Sequence, residues 1–133
     1  MISKAGFATL VSIRDMDRAL NFYTKKLGGK LQDRAPGEMK NMWASVKLGR
    51  ENLWLVRPPG RQAKKPDLAF FTFLVKNIKQ EVADLKKHGV RFQKGESMGE
   101  GSTVDGPIAT DAFGSSAFFN DTEGNLLMLW QSA

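Results

Sequence analysis

No cysteine occurs in this chain, and only one histidine, His88. The first absence excludes a disulfide framework, a thiol nucleophile and any cysteine metal site. Proline is scarce, and three of the five fall in one stretch, "PPGRQAKKPD" (58–67). Long apolar runs are also missing. Nothing approaches the roughly 20 apolar residues that a membrane-spanning helix needs. The N-terminal "MISKAGFATLV" lacks a signal peptide's apolar core and small-residue cleavage site. A cytoplasmic protein with no membrane partner is therefore expected.

What is present is ordinary for a globular chain. Of 133 residues, 41% are hydrophobic and 26% charged, enough for one domain (1–133) with its own core. The net charge of +6 permits anionic ligands or nucleic acid. The basic residues are dispersed, however, and the pairs Lys25-Lys26 and Lys86-Lys87 close predicted helices, where cations complement the helix dipole. No nucleic-acid partner is expected.

The chain repeats itself. "FATLVSIRDMDRALNFYTKKLGGKL" (7–31) and "AFFTFLVKNIKQEVADLKKHGVRF" (69–92) each read as an apolar strand, a capping residue, an amphipathic helix, a glycine stop and a short strand. The caps, Asp15 and Asn77, stand 62 residues apart (77 − 15). Met16, Ala19, Leu20, Tyr23 and Leu27 share one face of the first helix; Ile78, Val82 and Leu85 share one face of the second. Gly28 and Gly89 end them. Further strands are expected near 29–34, 42–48 and 52–57 in the first half, and near 90–93, 115–120 and 125–130 in the second. The fold class is thus α+β, with two tandem βαβββ modules (about 5–57 and 67–131) joined by a linker at about 58–66. The second module carries an extra stretch, 95–114, readable either as a binding loop or lid or as plain surface loop.

Three motifs in order, "VSIRDMDRALNFYTKKLG", "FLVKNIKQEVADLKKHGV" and "FFNDTEGNLLML", resemble the vicinal oxygen chelate superfamily, the group of glyoxalases, bleomycin-resistance proteins and extradiol dioxygenases. The last resembles the ending F-x-D-P-x-G-N-x-x-E-L, with Thr122 in place of proline and Met128 in place of glutamate. The resemblance spans essentially the whole chain. It implies mixed sheets curled around a concave cavity, helices on the convex side, and commonly a homodimer. Enzymes of this family place metal ligands at four positions, which fall here on Ala8, Trp54, Phe70 and Met128. None suits a hard divalent cation, which needs imidazole or carboxylate donors. Sliding the register by one residue recruits no ligand either. His88 stands in the last turn of a predicted helix, an exposed structural place. No metal site, no cofactor and none of the family's metal-dependent chemistry is expected.

Strand alternation then says what would line the cavity. With Ala8, Trp54, Phe70 and Met128 facing inward, Leu10, Ser12, Thr72, Leu126 and Trp130 follow, together with Trp43, Ser45, Ser116 and Phe118 from neighbouring strands. Such a lining of indole, phenyl and thioether with a few hydroxyls suits a planar or aromatic ligand. The same side chains could instead fill the space themselves. The positive charge favours a neutral or anionic ligand, helped by Arg34, Arg57 or Arg61, and argues against a cationic drug. The resemblance implies a non-catalytic small-molecule binder, for drug or toxin sequestration. A metal-independent enzyme of the same superfamily and a dimeric regulatory or interaction module stay open beside it. No pair of titratable groups in the expected cavity is placed for acid–base work.

Overall fold

The computed structural model describes residues 2–4, 8–57, 71–97 and 101–133. The chain divides into two compact units, residues 1–63 and 64–133, and each holds one expected module. The linker, Phe70 and Arg61 lie outside the described residues.

In the first unit the elements are β1 (Thr9–Ser12), α1 (Met16–Asn21), β2 (Lys30–Arg34), β3 (Trp43–Leu48) and β4 (Glu51–Val56). They form a mixed four-stranded sheet in the order β1-β4-β3-β2, with β1 parallel to β4. Asp15 caps α1 as expected, its carboxylate accepting from the Arg18 N–H at 3.1 Å. The helix departs from a simple α-helix after Asn21. Residues Phe22–Lys26 wind as a π-turn, with Leu27 N–H reaching the Phe22 carbonyl. The wider turn buries Phe22 together with Tyr23, whose rings meet edge to face at 5.2 Å. Gly28, at φ 79°, ends the helix. Val11, Ala44, Val46, Leu53 and Leu55 are buried on one sheet face and share the core with Met16, Ala19 and Leu20.

The second unit repeats the plan with β5 (Phe71–Leu74), α2 (Ile78–Lys87), β8 (Gly114–Asn120) and β9 (Leu126–Ser132). Asn77 caps α2 by accepting from the Gln80 N–H at 3.2 Å, and Gln131 accepts from the Ile78 N–H at 2.8 Å. His88 is exposed, and its Nδ1 lies 2.8 Å from the Asp84 carbonyl, so it stays a helix-end residue. The core stacks Phe73, Phe92 and Phe119 against Leu127, Leu129, Ile78 and Val82. Among the described residues no helix is long and apolar enough to cross a membrane.

Two expectations fail in this unit. The strand expected at 90–93 shrinks to one bridge, Phe92 with Phe119, plus a hydrogen bond from Gln93 N–H to the Phe118 carbonyl at 2.8 Å. The stretch expected as a loop at 95–114 contains a hairpin, β6 (Thr103–Asp105) and β7 (Ile108–Thr110), around the turn Gly106-Pro107. Strand β7 pairs with the start of β8, giving a five-stranded sheet in the order β5-β9-β8-β7-β6. One edge of β8 is therefore shared, with Phe92 at one end and β7 at the other. A strand continuing along 93–96 would compete with β7 for that edge, which is the physical reason it stops.

The closing turn is built by one side chain. Asp121, itself buried, accepts at Oδ1 from the Glu123 and Asn125 N–H groups, both at 2.8 Å. Its Oδ2 accepts from Asn125 Nδ2 at 2.7 Å. This explains why aspartate and asparagine sit four apart in "FFNDTEGNLLML": the carboxylate ties β8 to β9 from inside the turn.

Candidate functional site

The face of each sheet away from its helix carries the side chains of interest. Register identifies them. In the first unit, Leu10 opposes Trp54 and Trp54 opposes Ser45; in the next row Ser12 opposes Val56 and Val56 opposes Trp43. Trp43 and Trp54 are diagonal neighbours on β3 and β4, close enough for large rings to touch across the ladder. Their ring centroids are 5.5 Å apart with planes tilted by 50°, and both are half-buried. Leu10 beside them is 59% exposed. Ser45 shares this face by register but is buried at 2%, so its hydroxyl works within the packing rather than at the surface. Lys47 is exposed.

In the second unit, Thr72 opposes Met128 and Met128 opposes Phe118; Leu74 opposes Trp130 and Trp130 opposes Ser116. All are half-buried except Leu74, which is 82% exposed. Trp130 leans on the backbone of Gly114. A Cβ placed at Gly114 would meet its ring carbons Cζ2 and Cη2 at 2.8 and 3.0 Å. One tryptophan is thus partly engaged in packing its own sheet.

The two registers also line up the modules. Trp54 opposes the second residue of β1 and Met128 the second residue of β5, so Trp54 and Met128 are equivalent positions. Ala8 is exposed just before β1. These residues do not fit a divalent cation. Methyl and indole groups donate no usable lone pair, and a thioether is a soft, weak ligand for such ions. Among the described residues no three histidine, aspartate or glutamate side chains cluster closely enough to hold one.

The same comparison measures the inserted hairpin. Trp54 lies 44 residues after Leu10, and Met128 lies 56 after Thr72, so the second module carries 12 more residues between these strands. The insertion builds one wall of a pocket of about 220 Å³ in the second unit. Its floor is Ala109, Ser116, Phe118 and Leu126, all on the open sheet face; its walls are the strap Gln93–Glu96 and Pro107. The strap is held on both sides. Gln93 Nε2 donates to Asn120 Oδ1 at 2.9 Å, and Gly95 N–H donates to the Gly106 carbonyl at 3.0 Å. Gly95 packs so closely on the hairpin that a Cβ there would meet the Gly106 carbonyl at 2.9 Å and Val104 Cγ1 at 3.0 Å.

Of the residues expected from sequence to line a cavity, Ser116, Phe118 and Leu126 belong to this pocket. Trp130 and Met128 stand in adjoining rows of the same sheet face. Trp43, Trp54, Leu10, Ser12 and Ser45 belong to the first unit. The strap and Pro107 were not anticipated as lining residues; the one available signal was the length of the stretch 95–114. Arg34, expected near a ligand, is committed elsewhere. Its Nε donates to the Lys40 carbonyl at 2.6 Å, and its Nη2 to Asp17 at 3.0 Å and Asn41 at 2.9 Å. It fastens the β2–β3 connection to α1.

The fold is shared with several solved structures. A glyoxalase family protein from Enterococcus faecalis is 23% identical, with 98% of this chain and 99% of that one covered and a TM-score of 0.72. TnmS3, an antibiotic binding protein from Streptomyces sp. CB03234, is 24% identical, with 98% of both chains covered and a TM-score of 0.67. The fosfomycin resistance protein FosX from Listeria monocytogenes reaches a TM-score of 0.70 at 11% identity, covering 98% of this chain and 92% of that one. At these identities the likeness speaks for fold alone. No curated protein sequence matches. Residues 7–129 match the Glyoxalase/Bleomycin resistance protein/Dioxygenase superfamily. With two units built on one strand-helix-strand plan, matching strand registers and that match over nearly its full length, the chain belongs to this superfamily.

Proposed function

We propose that this protein is a non-catalytic, metal-free binder of a planar or aromatic small molecule, neutral or anionic, held by apolar side chains on the open faces of its sheets. The observation that carries the reading is the Trp43–Trp54 pair, two half-buried indoles 5.5 Å apart on the sheet face opposite the buried Ala44, Val46, Leu53 and Leu55. Equivalent positions Trp54 and Met128 stand where metal-using relatives need carboxylates, so binding replaces coordination there. Indole faces favour flat rings, and Met128 adapts its shape to them. One structural neighbour, TnmS3, supports the class, being an antibiotic binding protein. Sequestration of a drug or toxin in the cytoplasm is the role that fits.

The test is a library of planar aromatic compounds scored by melting temperature and tryptophan fluorescence. The reading expects at least one compound that raises the first and quenches the second. A library that does neither favours an interaction module. Turnover of a compound, unchanged by chelator, favours a metal-independent enzyme.

A homodimer belongs to the same proposal. Edge strands β1 and β5 each have one pairing partner among the described residues and carry the exposed Leu10 and Leu74. Exposed apolar edges invite association. Light scattering should give twice 14.8 kDa; a concentration-independent monomer mass refutes it.

A further inference from the structure

The 12-residue insertion does more than lengthen a sheet. It adds a pocket wall, whereas in the first module residues 35–42 join β2 to β3 through the 3-10 turn Gly37–Met39. Size limits what the space holds. A cavity of about 150 Å³ accepts one benzene ring, and drug-sized sites run to about 300–1,000 Å³. At about 220 Å³ this pocket matches one ring or two fused rings, and a larger ligand would extend beyond it. Its chemistry is equally restrictive. Phe118, Leu126 and Pro107 offer an apolar body, with the Ser116 hydroxyl on the floor. Lys94 and Glu96 are both exposed at the rim, two residues apart, and their charges offset each other. A ligand of either sign gains from one and loses to the other, while paying to leave water.

We infer that the inserted hairpin and the strap Gln93–Glu96 form a fragment-sized subsite for a neutral one- or two-ring group bearing one hydrogen-bonding atom, which pairs with Ser116. The inference rests on the small-molecule reading above and assigns a separate place to part of the ligand or to a small second ligand. The strap is tied at two points, Gln93 to β8 through Asn120 and Gly95 to the hairpin through Gly106, so the subsite exists before a ligand arrives. Preformed walls lower the ordering cost of binding.

Indole and phenol are suitable probes, with benzoate and benzylamine as charged counterparts, followed by amide chemical shifts of the isotopically labelled full chain. Indole should give saturable shifts at Gly95, Ala109 and Ser116, and contacts from its protons to the Phe118 ring and Leu126 methyls. The charged probes should bind about tenfold or more weakly. Ser116→Leu, which fills the floor and removes the hydroxyl, should weaken indole about tenfold or more. Lys47→Ala, an exposed change in the first unit and outside the pocket, should leave indole affinity within about twofold, because exposed charges contribute little to a neutral ligand. If indole moves the side-chain N–H signals of Trp43 and Trp54 but none of the pocket amides, the subsite is refuted and the small-molecule reading survives. If nothing moves anywhere, the subsite is refuted, and the library of planar compounds decides the small-molecule reading. Should Ser116→Leu fail to fold, the indole contacts to Phe118 and Leu126 in the unaltered protein decide: present they support the subsite, absent they overturn it.

Discussion

Replacing Trp54 with alanine is expected to weaken a planar aromatic ligand about tenfold or more, through lost stacking and lost apolar contact. Folding should suffer less, by about 1–2 kcal/mol, because a half-buried side chain already keeps part of its surface in water. Leu55→Ala supplies the contrast. Leu55 is fully buried one residue away, on the opposite sheet face. Its truncation should cost about 2–5 kcal/mol of stability and leave ligand affinity nearly unchanged. Urea unfolding and fluorescence titration separate the two effects. Trp54→Ala that loses stability and affinity in equal measure would mean the tryptophans pack the fold and do not receive a ligand.

Asp121→Ala is expected to destabilise the protein by about 2–4 kcal/mol. The buried carboxylate satisfies two backbone N–H groups and the Asn125 amide. Its removal leaves those donors without the acceptor that the turn provides, and an unsatisfied buried donor costs about 1–3 kcal/mol. Asp121→Asn should be milder, since Oδ1 can still be replaced by an amide oxygen while the bond to Asn125 Nδ2 is lost. Urea denaturation measures both. Wild-type stability in Asp121→Ala would show that the β8–β9 hairpin holds its register without the turn network.

How much of this was legible beforehand differs element by element. Helix starts were readable because Asp15 and Asn77 act locally, each on the N–H three residues ahead. Strand faces were readable because alternation is a backbone property, and Phe71 and Phe73 separate cleanly from Thr72 and Leu74. The motif "FFNDTEGNLLML" was readable as a turn, although the reason for its aspartate became clear only from the hydrogen bonds. The π-turn at Phe22–Lys26 was not readable, because its cause is the long-range gain of burying Phe22 and Tyr23 together. The inserted hairpin escaped because β6 is three exposed residues with no apolar alternation, and its pairing with β8 depends on where Phe92 leaves that strand's edge. The pocket escaped with it, since its walls come from the strap and that hairpin. Burial of Ser45 was likewise invisible: register placed it on the open face, and only packing covers it.

The substitutions at Ala8, Trp54, Phe70 and Met128 point one way. These are the positions where the resemblance implies metal ligands, and all four are apolar by identity, Phe70 lying outside the described residues. The central claim is therefore that this superfamily member binds by contact with rings and not by coordination. Its most direct test is the affinity of one ligand identified by fluorescence quenching, measured on protein before and after exhaustive chelation and again after adding manganese or zinc. The account predicts one dissociation constant throughout. Binding that is lost on chelation and restored by metal would contradict it.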